Sequence, residues 1–184
     1  MALFARWRAE RDLERRAAAY VQTLLAEPAG PEVAWLAQVA TRGDLDHARW
    51  ELRYARRALG LLAAQRDALD DRTAASVARA LSGSFARDPN IASGMVETAE
   101  RQFNARLSAY HDGLSAKGGP PTTIRMGQTL LAFAGGSFRG DDAAVVRAGE
   151  ILDGLLAHAN ESLRASFGTA ALPEHVPPSA VTSR

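Results

Sequence analysis

Between residues 45 and 69 the chain places Leu45, Ala48, Leu52, Ala55, Leu59, Leu62 and Leu69 at alternating steps of three and four, with only Arg66 interrupting. Side chains at that spacing share one face of a helix, whereas a strand would need a period of two. A second stripe, Trp50, Tyr54, Ala58 and Leu61, runs beside the first. At about 100° per residue the two stripes cover more than half of the circumference, so residues 44–69 are expected to form a central helix with neighbours on two sides. The face left over carries Arg49, Arg53, Arg56 and Arg57 and is expected to be the wetted one.

Proline and glycine divide the rest of the chain. All eight prolines lie between or at the ends of apolar-periodic stretches, where a missing N–H costs little. The spacing predicts helices over 2–27, 31–41, 73–85, 89–116 and 122–134, and a last one from about 142 to 167. The helix over 89–116 is expected to pack through Ala92, Val96, Ala99, Phe103, Leu107, Tyr110 and Leu114. Alanine, the strongest helix former, occurs 38 times, and 21 of the 22 basic residues are arginine. Strand-favouring residues are sparse and do not alternate. The expected fold is all-α, a single bundle of six or seven helices over 1–167, with a flexible Pro- and Ser-rich tail over 168–184.

Composition narrows function mostly by exclusion. With no cysteine there is no disulfide framework, thiolate metal site or cysteine nucleophile. A net charge of +1 leaves no domain-wide footprint for nucleic acid. No apolar run approaches the roughly 20 residues of a membrane span, and the opening Met-Ala-Leu-Phe-Ala-Arg-Trp-Arg lacks an unbroken signal-peptide core. The expected location is the cytoplasm of a prokaryotic-looking cell.

The densest candidate for a site lies on the central helix. His47, Glu51, Tyr54 and Gln65 fall inside the broad apolar arc, away from the arginines, with Asp44 positioned to cap the helix. A polar row on a packing surface must find partners or carry a desolvation cost of a few kcal/mol, so it is a hydrogen-bond network or the polar lining of a small-molecule pocket. Metal chemistry fits poorly: di-iron bundles need paired Glu-x-x-His motifs, and the nearest approximation here is Asp44-Leu-Asp-His47. Glu100, Asn104 and His111, and His158 near Glu161, read as solvated helix edges. No metal site, cofactor or catalytic set is expected. The serines lack a nucleophile elbow, and the glycines at 135, 136 and 140 match no phosphate-binding fingerprint and read as a flexible joint.

Aromatic residues and arginine are enriched at binding hot spots, and Trp7, Trp35 and Trp50 all fall in the first third of the chain. On the first helix Leu3, Phe4 and Trp7 interleave with arginines, while Glu10, Asp12 and Glu14 cancel much of the field that would hold an anionic membrane. Residues 32–40, a Thr-Arg-Gly turn and the arginine-bearing helix after it loosely resemble a helix-turn-helix, which would imply a DNA-binding regulator. The long leucine seam instead suits a core helix. The leading expectation is therefore a non-enzymatic interaction protein that contacts a protein partner, including itself, through Phe4, Trp7, Trp35 and Trp50. The alternative is a small-molecule-binding domain using His47, Glu51, Tyr54 and Gln65.

Overall fold

The computed structural model describes residues 2–67, 70–136, 138 and 142–168. Seven α-helices follow in order: α1 (Ala2–Leu24), α2 (Gly30–Val39), α3 (Leu45–Asp67), α4 (Asp71–Phe85), α5 (Val96–Ser115), α6 (Thr122–Phe133) and α7 (Ala143–Phe167), with one 3₁₀ turn at Ser93–Met95. There is no strand among the described residues, so the all-α bundle read from the sequence is the fold. Leu69, Gly140, Asp141 and the tail from 169 onward, His175 included, lie outside the described residues.

The central helix is α3, and it packs against all six of the others. Asp44 caps it as expected, its carboxylate accepting from the N–H groups of Asp46 at 3.0 Å and His47 at 2.9 Å. From Ala48 to Leu62 both apolar stripes are buried apart from the half-buried Trp50, and one continuous core draws on every helix. Among the described residues the seam fails at its start: Leu45 is 50% exposed, because the first helical residue after the cap lies beyond the packed turns.

The arginine face is not the wet one. Arg53 and Arg57 are buried and Arg49 and Arg56 are half-buried, because the neighbouring helices cover most of that flank of α3. Three of the guanidinium groups take a partner from elsewhere in the chain: Arg53 pairs with Glu27, Arg57 donates to Asp88 at 2.6 Å, and Arg56 donates to the Ala26 carbonyl at 3.0 Å, whereas Arg49 pairs with Asp46 on its own helix. A planar, weakly hydrated guanidinium tolerates this where an ammonium would not.

Helix boundaries shift for local reasons. The stretch 89–116 is helical only from Val96; Asp88 accepts from the Asn90 N–H at 3.0 Å in a turn, Gly94 follows, and Ala92 is exposed rather than packed. The first helix ends at Leu24, three residues earlier than expected. Asp70 caps α4 by accepting from Thr73 N–H at 2.7 Å, so that helix begins at Asp71.

Two helix pairs meet unusually closely. α1 runs antiparallel to α3: Tyr20 donates to the Gly60 carbonyl at 2.8 Å, and Glu27 meets Arg53 further along. A Cβ on Gly60 would fall 2.4 Å from the Leu24 side chain. Between α6 and α7 the backbones themselves touch. A Cβ on Gly127 would lie 2.1 Å from the Val145 carbonyl oxygen, and one on Gly149 would lie 2.4 Å from that of Thr123.

Candidate functional site

Three of the four polar residues picked out on α3 line one cleft between α3 and the start of α5. Its volume is about 460 Å³; His47, Trp50, Glu51 and Tyr54 form the α3 side, and Ile91, Met95, Ala99, Gln102 and Arg106 are among those facing them. Gln65 is not there, and it is exposed. The helical wheel places it at the same angle as His47, but five turns later, about 27 Å along the axis at 1.5 Å per residue. Angle alone could not separate the two.

The cleft is built around Glu51, which is buried. Arg106 reaches over from α5 and closes on both carboxylate oxygens, its Nε donating to Oε2 at 2.7 Å and its Nη2 to Oε1. His47, half-exposed at the edge, brings Nε2 to 3.3 Å from Oε1. Two rings hold the guanidinium, with centroids 4.9 Å away for Tyr54 and 4.5 Å for Phe133. Nη1 donates to the Gln102 carbonyl at 3.0 Å, and the Tyr54 hydroxyl donates to the Gln102 side-chain oxygen at 3.1 Å. Burial lowers the Arg106 pKa, but the hydrogen bonds and charge of Glu51 outweigh it, and the net shift is upward. The Tyr54 phenol is raised by burial, with Arg106 and Arg57 pulling the other way.

Arg106 and Gln102 are not among the residues singled out from the sequence, and Tyr110 is read there only as a packing residue, yet one signal is present. Ala99, Phe103, Arg106 and Tyr110 recur at four, three and four, so Arg106 occupies a packing position of α5 just as Glu51 does on α3. Opposite charges at core positions of two helices are candidates for one another. Tyr110 lies deeper still: its hydroxyl is buried without a hydrogen-bond partner, and burial raises its pKa far above the ordinary phenol value, with Glu51 adding and Arg106 opposing.

Trp50 forms the cleft's aromatic wall. It lies 5.4 Å from Tyr54 at 38°, with the Arg53 guanidinium 4.8 Å from its centroid. Trp35 is half-buried on α2, packed against the core. Phe4 and Trp7 stand apart on α1, 72% and 53% exposed, with Arg11 stacked 4.8 Å from the Trp7 ring. The four aromatics expected to form an interaction surface are therefore on three different helices. Glu100 is half-buried, while Asn104, His111, His158 and Glu161 are exposed, as helix edges should be.

The Glu51 carboxylate is shared between the bidentate Arg106 guanidinium and the His47 imidazole at the cleft edge. Among the described residues, no three His, Asp or Glu side chains converge to hold a metal ion, and no helix is long and apolar enough to cross a membrane. Compared with protein-family models, curated proteins and solved structures, the chain matches none.

Proposed function

We propose that this chain is a non-enzymatic helical interaction protein of the cytoplasm, acting by contact with other protein chains, a copy of itself among them. The observation that carries this is the start of α1. Phe4 and Trp7 are exposed, and α1 first meets the rest of the bundle at Glu10, which pairs with Arg72 of α4 at 3.4 Å, and at the half-buried Leu13, so the opening turns form a short arm whose aromatic residues have no core to fill. Phe4 and Trp7 are three apart and share a face, the spacing with which a helix anchors itself in a groove. Two large aromatics side by side on an exposed helix face form an apolar patch of the kind that marks a contact surface.

Light scattering coupled to size exclusion tests this over a range of concentrations. The wild type is expected to self-associate, and Trp7→Glu to elute as a monomer with unchanged helical circular dichroism. A wild type that is strictly monomeric, and whose arm residues are unprotected from hydrogen exchange, would remove self-association.

A second reading rests on the cleft, whose volume falls within the usual range for ligand pockets and which holds His47, Glu51 and Tyr54 together. Under it, a small molecule raises the melting temperature by mass action, and His47→Ala abolishes that response while leaving the apo melting temperature unchanged. A DNA-binding role gains no support from α3, whose Arg53 and Arg57 are committed inside the protein.

A further inference from the structure

We infer that the arm of one copy seats in the α3–α5 cleft of a second copy, reciprocally, making a two-fold dimer; this rests on the interaction reading above and names its surface.

Reach excludes the chain's own cleft. α1 and α3 are antiparallel, with Tyr20 beside Gly60. Trp7 lies 13 residues from Tyr20 toward one end, while Trp50 lies 10 residues from Gly60 toward the other, so arm and cleft are roughly 35 Å apart along the bundle. A continuous helix cannot fold back over that distance. A second copy placed antiparallel brings its cleft to this arm and its arm to this cleft, and the same operation satisfies both junctions.

The two surfaces are also chemically matched. Described side chains that are large, apolar and exposed number five: Phe4, Trp7, Leu45, Met95 and Val146. Two are the arm, Met95 lines the cleft, and Leu45 begins the helix that forms its other wall. Methionine adapts well to an aromatic guest. Charge agrees: residues 2–11 carry three arginines against Glu10, whereas the segments flanking the cleft, 44–49 and 96–101, carry Asp44, Asp46, Glu97 and Glu100 against Arg49 and Arg101. A cationic aromatic helix is thus matched with a groove whose flanking segments carry a net negative charge.

Two exposed positions allow a test without disturbing the core. Trp7→Glu and Met95→Glu are each expected to weaken self-association by about tenfold or more, and an equimolar mixture is expected to recover dimer, because one intact arm can then enter one intact cleft. The chain has no cysteine, so Arg8→Cys and Glu97→Cys supply unique thiols. Mild oxidation of the mixture should give mainly the mixed disulfide. If Met95→Glu dimerises like the wild type while Trp7→Glu does not, or if Arg8→Cys links chiefly to itself, the arm binds elsewhere and the inference fails with the interaction reading intact. A wild type that is monomeric throughout, yet is stabilised by a small aromatic such as indole, overturns both and makes the cleft a ligand pocket.

Discussion

Arg106 on α5 grips Glu51 on α3 across 55 residues of sequence, with Nε 2.7 Å from Oε2 and side-chain exposures of 11% and 2%. Two opposite charges have been taken out of water together, and each makes the other's burial tolerable. Removing one partner leaves an uncompensated charge. Glu51→Gln is expected to lower stability by about 3 kcal/mol in urea denaturation. Glu51→Leu combined with Arg106→Met should recover most of that loss, since an apolar pair of similar size carries no desolvation cost. Additive losses in the double variant would show that the pair is not one unit.

Asp88 provides an acid dependence. Burial raises its pKa, but the hydrogen bond from Arg57, those from Asn90 and the Arg57 charge outweigh that, and the net shift is downward. The unfolded chain binds the proton more readily, at about pH 3.9. The Asp88 contribution is therefore complete above that pH and disappears as pH falls through the lower folded value. Compared with Asp88→Asn, the wild type should be more stable at pH 7, with the difference shrinking below about pH 4. A difference that stays constant down to pH 2 would contradict the linkage.

The α6–α7 contact depends on a missing side chain. A Cβ at Gly127 would meet the Val145 carbonyl at 2.1 Å, and backbone cannot move aside as a flexible side chain can. Gly127→Ala is expected to cost about 2 kcal/mol or more despite the better helix propensity of alanine. Gly154, with nothing within 4 Å of an added Cβ, is the control. Gly154→Ala should be neutral or stabilising by up to about 1 kcal/mol in thermal unfolding.

Arg125 fastens the loop between α5 and α6. Its guanidinium donates to the carbonyls of Gly113 at 2.9 Å, Ala116 at 3.1 Å, Gly118 at 3.3 Å and Pro120, and to the Thr122 hydroxyl at 3.0 Å. The loop needs holding because Gly118 and Gly119 take φ of +77° and +73°. A lysine cannot reproduce the planar fork. Arg125→Lys is expected to cost about 1.5 kcal/mol or more and to speed hydrogen exchange at 116–122. Unchanged protection there would show the loop is held by other contacts.

The sequence alone determined that the described elements are helical, where most of the breaks fall, and which helix lies at the centre, because spacing of three and four, alanine content and proline placement all act over a few residues; the turn that delays α5 to Val96 was not legible in it. It also brought His47, Glu51 and Tyr54 onto one face, since they lie within two turns. Gln65 shared their angle but not their position, as periodicity has no knowledge of distance along an axis. Partner choice was beyond it: Arg53 with Glu27, Arg57 with Asp88 and Arg106 with Glu51 span 26, 31 and 55 residues. Six neighbours around α3 turned an apparently solvated arginine face into interior, and backbone contact at Gly127 and Gly149 became visible only once two helices met. Tertiary packing decided those features because the energy of a buried charge or an absent methyl depends on what lies across from it, and that is set by chain segments remote in sequence.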